Sequence, residues 1–280
     1  MLREILMVLS FLCAALPAAA QITVAHISDT HLGLKHAPGA AANLRRVVEM
    51  VNQRHPDAVI VSGDIGETPE AWKQAREILS KAKAPVYYVP GDHDDNATTA
   101  DHFRSVFGKD YYQFKVKNAT FFALDSQLLG SFDVFDSNQV MPLTAIGQAE
   151  SARMLEWFGK QIDAMQESMQ TGSGAAVDPA LVFVVQHVPI SRNGGFPPDA
   201  KPYWTVQEPY RSRELELLHR LGVKHVFAGH WHSGMVFQAD GITYHLAPAT
   251  SWTPFKVPLG FAIHTISAAG DVKTEFVNLR

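Results

Sequence analysis

The 280-residue chain sets 24 Lys and Arg against 28 Asp and Glu, a formal net charge of −4 with no block of like charges. That balance lacks the basic footprint of a nucleic-acid binder. Its one cysteine, Cys13, lies in the first twenty residues, so residues 21–280 have neither disulfides nor thiolate metal ligands. Hydrophobic content is 46%, ordinary for a globular enzyme of this length, which buries a large core without cross-links.

Residues 1–20 read as an export signal. Arg3 precedes an apolar run from Ile5 to Leu16, and Ala18-Ala19-Ala20 supplies the small residues a signal peptidase cleaves after, leaving Gln21 as the new terminus. The run is shorter than the ~20 residues a spanning helix needs. The expected protein is therefore exported, periplasmic or secreted, with no stable membrane span after cleavage. Residues 21–280 show no linker or repeat and read as one domain.

Strand-like and helix-like segments then alternate. Ile22 to Ile27 is an apolar strand. Ala41 to Arg54 puts Leu44, Val47, Val48 and Val51 on one helical face. Ala58 to Val61 is a strand. Thr68-Pro69 is an N-cap followed by proline at the first helical position, opening a helix to about Lys83. Val86 to Val89 is a strand, and Tyr112 to Val116 pairs with Thr120 to Leu124 across Lys117-Asn118. Ala149 to Met169 is the longest helical stretch, closed by Thr171-Gly172-Ser173-Gly174. Leu181 to Gln186 is a strand, Arg213 to Leu221 a helix and His225 to Ala228 a strand. The rest is strand and turn, with Asp240-Gly241 a hairpin signal.

Five short blocks follow strands in this order: Asp29-Thr30-His31, Gly63-Asp64, Gly91-Asp92-His93-Asp94, Gln186-His187-Val188-Pro189 and Gly229-His230-Trp231-His232. Mixed α/β sheets collect ligands beyond the carboxyl ends of their strands, so one shared site is physically reasonable. Together the blocks hold carboxylates and imidazoles but no thiolate. Such a set suits two divalent cations that generate a hydroxide nucleophile and clamp an in-line phosphoryl displacement. Five of the thirteen histidines lie in these blocks. The other eight, His26, His36, His55, His102, His219, His225, His245 and His264, read as ordinary satisfied polar residues.

With these motifs, from Val24-Ala25-His26-Ile27-Ser28-Asp29-Thr30-His31 to Gly229-His230-Trp231-His232, the chain resembles the calcineurin-like metallophosphoesterase superfamily. Phe107-Gly108-Lys109-Asp110-Tyr111-Tyr112, Ala123-Leu124-Asp125-Ser126-Gln127, Gln186-His187-Val188-Pro189 and Pro202-Tyr203-Trp204 make it most similar to the branch of calcineurin-like phosphoesterase domain-containing protein 1. The resemblance implies a four-layer αββα sandwich of two mixed β-sheets flanked by helices. It implies that Asp29, His31, Asp64 and His232 hold one metal, and that Asp64, Asp92, His187 and His230 hold the second, with Asp64 bridging. A loop must then place His230 and His232 on different metals. His93 is expected to assist the leaving-group oxygen as a non-ligand histidine, with Asp94 orienting its ring.

Two positions depart from the family pattern. Asp92 stands where the family usually has Asn, and adds a negative charge while losing an amide donor. Three ligand carboxylates against two divalent ions leave one positive charge, which weakens attraction for a phosphate dianion. Glu67 stands where purple acid phosphatases place a tyrosine ligand, which argues against a tyrosinate-bound ferric site. The long segment Ser191 to Tyr210 offers Arg192, Tyr203 and Trp204 as substrate contacts or as pins that hold the loop to the body. Trp231 and Trp252 read as packing near the site.

The expectation is an exported phosphoesterase with two divalent metal ions, drawn from Mn, Fe, Zn or Mg. Its partner is a phosphate-ester substrate, a monoester or phosphoserine and phosphothreonine peptide first, with no nucleic acid. A phosphodiesterase acting on cyclic nucleotides or lipid headgroups and an inactive metal-binding module are the rivals.

Overall fold

The computed structural model describes residues 21–94, 100–132, 142–172, 177–192 and 201–279. The expected export signal, the Ser173-Gly174 end of the loop after the longest helix, and residues 193–200 of the segment before Tyr210 lie outside the described residues. Among the described residues, no helix is long and apolar enough to cross a membrane.

Two mixed sheets form the middle of the molecule. The first is built on parallel strands β1 (Ile22–Ile27), β2 (Ala58–Ser62) and β3 (Val86–Val89). Far along the chain, β10 (Gly260–Ile266) joins β1 antiparallel and β11 (Val272–Asn278) closes that edge. In the second sheet β5 (Ala119–Ala123), β6 (Val182–Val185), β7 (His225–Ala228) and β9 (Ile242–Leu246) run parallel. Antiparallel strands β4 (Tyr112–Val116) and β8 (Met235–Ala239) form its edges.

Alternation along β1 explains the layering. Ala25 and Ile27 point to one face, where Leu44, Val47, Val48 and Val51 of α1 (Ala40–Arg54) and Ala75, Ile78 and Leu79 of α2 (Pro69–Leu79) cover them. Ile22 and Val24 point to the other face and meet Phe121, Phe183 and Phe227 of the second sheet. The far face of that sheet packs Phe122, Val182, Val184 and Val226 against Met154, Phe158 and Ile162 of α4 (Ala145–Thr171) and Leu218 and Leu221 of α5 (Tyr210–Leu221). The result is the expected four-layer sandwich.

Local chemistry sets most boundaries. Thr68 caps α2 by accepting the Ala71 N–H, with Pro69 at the first helical position. That helix ends at Leu79, short of the expected Lys83, and the Lys81 and Ala82 N–H groups close a turn on Ile78 and Leu79. Thr144 caps α4 and Gly172 ends it in the left-handed region, φ 64°. Asp240 and Gly241, at φ 51° and 76°, make the two-residue turn between β8 and β9. One helix was not read from the pattern: α3 (Ala100–Phe107), whose Arg104 forks onto Asp110 at 2.9 and 2.6 Å.

The layer between the sheets is not wholly apolar. Four histidines on four strands join end to end across it. His26 Nε2 lies 2.7 Å from Ser62 Oγ and its Nδ1 lies 3.1 Å from His264 Nε2. His264 Nδ1 and His245 Nδ1 share Thr274 Oγ1 at 2.9 and 2.7 Å, and His245 Nε2 meets His225 Nδ1 at 3.0 Å. His26, His245 and His264 are therefore satisfied as neutral imidazoles, each donating from one nitrogen and accepting at the other. Burial pushes His26 and His245 down to about 3 and His264 well below its ordinary value.

Candidate metal centre

Each expected ligand sits just past a strand. The first sheet delivers Asp29 and His31 after β1, Asp64 after β2 and Asp92 after β3. The second delivers His187 after β6, and His230 and His232 after β7. The carboxyl ends of both sheets therefore converge on one place. In an extended strand, residues two apart share a face. His230 and His232 adopt φ of 66° and 49° instead, and the turn between them sends the rings to different neighbours. Asp29, His31 and Asp64 are also left-handed, at φ 52°, 42° and 51°, a conformation that non-glycine residues adopt under constraint. Glycine is required where the loops touch: a Cβ on Gly91 would overlap the Asp64 carboxylate and one on Gly63 the His187 ring.

Four overlapping groups of side chains result among the described residues, two of them including His93, once with His31 and Glu67 and once with Asp64 and Asp92. In the other two, Asp29, His31, Asp64 and His232 converge, as do Asp92, His187 and His230. His232 Nε2 lies 3.2 Å from Asp29 Oδ1, and His31 Nε2 lies 3.1 Å from His232 Nε2. His187 Nε2 and His230 Nδ1 both lie 3.1 Å from Asp92 Oδ1. Asp64 stands between the groups. Its Oδ2 is 3.4 Å from His31 Nε2 and 3.3 Å from His187 Nε2, while its Oδ1 accepts the His93 N–H at 3.0 Å. One oxygen thus faces both groups.

The outer nitrogens of the four imidazoles explain why this cluster suits cations. His31 Nδ1 lies 2.8 Å from Glu67 Oε1, and His187 Nδ1 lies 2.6 Å from the Ser62 carbonyl. His230 Nε2 meets the Tyr203 carbonyl at 2.8 Å, and His232 Nδ1 meets the Trp252 carbonyl at 2.8 Å. Every one of these partners is an acceptor, so each ring donates its N–H outward and turns a bare lone pair inward. Those lone pairs face the Asp29, Asp64 and Asp92 carboxylates. Asp29 Oδ1 and Oδ2, Asp92 Oδ1, His187 Nε2 and His230 Nδ1 are buried with no hydrogen-bond partner. Acceptors facing acceptors in a buried site repel unless positive charge lies among them. The donor set, imidazole and carboxylate, fits divalent Mn, Fe, Zn or Mg. The same carboxylates, Asp64 foremost, draw protons onto His187 against the effect of burial and raise it well above its ordinary value.

The partner of His93 differs from the sequence reading. Asp94 does not orient its ring. The Asp94 carboxylate turns back and accepts N–H groups from Ile65, Gly66 and Gly91 at 2.8–3.0 Å, tying the β2 and β3 loops together. Burial and the Asp64 charge push its carboxyl up to about 7, against those three amides. His93 Nδ1 instead lies 2.9 Å from Glu67 Oε2, while the other oxygen of Glu67 holds His31. The two histidine hydrogen bonds outweigh burial and bring the Glu67 carboxyl down to about 2. Burial disfavours a charged His93, but the Asp64 charge and the Glu67 bond push its imidazole up to about 10. Glu67 is thus a site residue that the motif reading missed. Its one signal was an acidic residue three positions after Asp64.

The substrate segment divides. Tyr203 O–H donates to Asp92 Oδ2 at 2.9 Å, and the Trp204 carbonyl accepts from Trp231 Nε1 at 2.7 Å. Burial, then the Asp92 charge, keeps the Tyr203 phenol protonated. Both residues therefore pin the segment to the centre, and both also line a cleft of about 350 Å³ above it. Arg192 is half-buried and is not among the residues lining that cleft. Trp231 is packed, stacked on Phe237. Trp252 does more than pack, because it lines the cleft together with His36, a histidine read as an ordinary polar residue.

The two-sheet sandwich is a fold shared with solved phosphatase structures. The zebrafish dimetal phosphatase LOC 393393 superposes with a TM-score of 0.60 at 15% identity, covering 92% of this chain and 96% of that one. The chain belongs to the calcineurin-like phosphoesterase family, whose model matches residues 22–234. Mouse serine/threonine-protein phosphatase CPPED1 is 27% identical over 202 residues, 67% of this chain and 57% of that protein. The glycerophosphodiester phosphodiesterase GpdQ of Enterobacter lignolyticus is 37% identical over 90 residues, 29% of this chain and 32% of that one. The chain thus spans little more than half the length of the mouse relative and a third of the bacterial one.

Proposed function

We propose that this chain is an exported, metal-dependent phosphoesterase that hydrolyses phosphomonoesters, including phosphoserine and phosphothreonine peptides. The observation that carries the reading is the inward convergence of four imidazole lone pairs and three carboxylates, each ring braced from behind by an acceptor. Asp29, His31, Asp64 and His232 would hold one divalent cation and Asp64, Asp92, His187 and His230 the other. When bound, such a pair activates water and neutralises the charge that develops in an in-line phosphoryl displacement.

The chain's own residues supply the rest. His93, at the open edge of the centre and held by Glu67, donates its Nε2 proton to the departing ester oxygen. Glu67 fixes the tautomers of His31 and His93 together, so metal binding and proton donation are set by one carboxylate. Tyr203 holds Asp92 in place. The monoesterase reading follows the resemblance to CPPED1, a serine/threonine-protein phosphatase by name. A phosphodiesterase is the second reading. Asp92 and Glu67 favour it, because their added negative charge suits a monoanion better than a dianion. Export rests on the Met1–Ala20 sequence pattern.

The test is turnover of 4-nitrophenyl phosphate and bis(4-nitrophenyl) phosphate by protein loaded with each of the four metals, alongside metal analysis. Preference for the monoester is expected. Preference for the bis-ester selects the second reading, and two bound metals with no turnover of either selects an inactive metal-binding module.

A further inference from the structure

The cleft above the metal centre has two unlike ends. Its floor is the imidazole edge of His31, His93, His230 and His232. The rest of its lining is mostly apolar, with Leu34, Trp204, Trp252, Pro254 and Phe255 as its wall beside the His36 ring. No Lys or Arg lines it among the described residues. The sequence of the undescribed internal segments, 95–99, 133–141, 173–176 and 193–200, contains neither residue type. Lys35 and Lys256 neighbour lining residues but are exposed and are not part of the lining.

This wall is built rather than incidental. Trp252 is half-buried, its ring meets His36 edge-on at 4.6 Å, and its carbonyl holds His232 Nδ1 at 2.8 Å. The indole is therefore positioned by the same residue that accepts from a ligand ring. Trp204 is tied through its carbonyl to Trp231. Phe255 is 47% exposed, one of few large apolar side chains left in water. An apolar wall that stays wet in the free protein gains when a ligand covers it. The volume of about 350 Å³ is at the small end of the roughly 300–1,000 Å³ usual for small-molecule sites.

A phosphate ester matches both ends: its phosphoryl group belongs at the floor, which leaves its organic group against the wall. A second phosphate would find no ammonium or guanidinium there, and a sugar would bury most of its hydroxyls against carbon, with the His36 ring the one imidazole of the wall. Resting on the phosphoesterase reading above, we propose that the preferred substrates carry a single phosphate on an aryl or medium-length alkyl group, with Trp252 and Phe255 as the specificity-determining residues. Nucleoside polyphosphates and phosphosugars are disfavoured.

The experiment uses non-hydrolysable n-alkylphosphonates from ethyl to octyl, titrated calorimetrically into Mn²⁺-loaded protein, and the matching alkyl phosphates assayed by phosphate release. Affinity should rise roughly two- to fourfold per methylene until the wall is covered. Methylenediphosphonate should gain nothing over methylphosphonate beyond its extra charge at the metals. Phe255→Ser and Trp252→Ala should each flatten the gradient. A flat phosphonate series in the wild-type protein, no phosphonate binding, or tighter binding of a glycerol phosphonate than of a butyl one would overturn the inference. The two readings fail separately. Hydrolysis with a flat gradient sinks the apolar substrate class alone, whereas a steep binding gradient without hydrolysis sinks the enzyme reading and leaves the site for an apolar phosphate ligand.

Discussion

The histidine chain between the sheets makes acid sensitivity a quantitative expectation. His264 is wholly buried, receives one hydrogen bond and gives one, and has no free lone pair for a second proton. Burial, with the neighbouring His26, His245 and His225, holds it well below its ordinary value. The unfolded chain protonates this ring near pH 6.5 while the folded chain does not, so stability falls as pH drops below 6.5. At pH 5 the unfolded state gains about 2 kcal/mol from this one ring relative to pH 7. His264→Gln removes that proton uptake. It also breaks the chain and leaves a buried partner unmet, which costs about 1–3 kcal/mol at pH 7. The variant should therefore be the less stable protein at pH 7 and should close about 2 kcal/mol of the gap by pH 5. Urea unfolding at both pH values, with chelator present so that the metal centre contributes equally, measures the gap. A gap of equal size at pH 7 and pH 5 would show that His264 takes up its proton in the folded state, and the neutral-chain account would be wrong.

Five substitutions at the centre follow the same logic. Glu67→Gln offers one carbonyl where two imidazole N–H groups now find carboxylate oxygens, and should lower both metal affinity and turnover by roughly 10–100-fold; loss of turnover with unchanged metal content would confine Glu67 to His93. Asp64→Asn should weaken both metals and His31→Ala chiefly one, so full occupancy in dialysed Asp64→Asn would refute the bridging assignment. His93→Asn should slow alkyl phosphate hydrolysis by ~10²–10⁴-fold and nitrophenyl phosphate hydrolysis less, because the better leaving group needs no proton; equal losses would make His93 a positioning residue. Asp92→Asn removes a charge worth roughly 4 kcal/mol at ~4 Å and an effective dielectric near 20. Even a third of that changes affinity about tenfold, so at saturating metal monoester KM should fall more than diester KM; equal gains would refute the charge argument.

The sandwich and the ligand set were legible because both rest on short-range pattern. A buried parallel strand announces itself as an apolar run, and the ligand follows within a few residues of its end, as at Ile60-Val61-Ser62-Gly63-Asp64. What was not legible depends on chain segments meeting in space. Asp94 was expected from the family resemblance to orient His93, but three backbone amides from two loops claim its carboxylate. Glu67 was noticed only as a departure, since its two partners lie 36 and 26 residues away in opposite directions. Reading His26, His225, His245 and His264 as satisfied polar residues was right, but nothing in the sequence says that they satisfy one another, because register between β1, β7, β9 and β10 decides it.

The loops that carry the centre are held mainly by backbone, and this determines what the substitutions above can report. Asp29, His31, Asp64, His230 and His232 are left-handed, each a conformation that costs of order 1 kcal/mol or more. Cross-loop bonds sustain them. The Asp29 and His31 N–H groups donate to Gly63 and Asp64 carbonyls at 3.1 and 2.8 Å, and the Leu32 N–H to Ile65 at 3.1 Å, extending the β1–β2 pairing past the strand ends. Gly229 N–H donates to the His187 carbonyl at 3.0 Å, and Ser251 N–H and Oγ both reach the Asp29 carbonyl. None of these bonds uses a ligand side chain. A ligand side chain can therefore be replaced with these backbone bonds left in place, although Asp64 then also loses the His93 N–H it accepts and His187, His230 or His232 the carbonyl behind its ring. The loss on such a replacement then combines the missing donor to the cation with that one side-chain contact, while the backbone bonds between the loops persist.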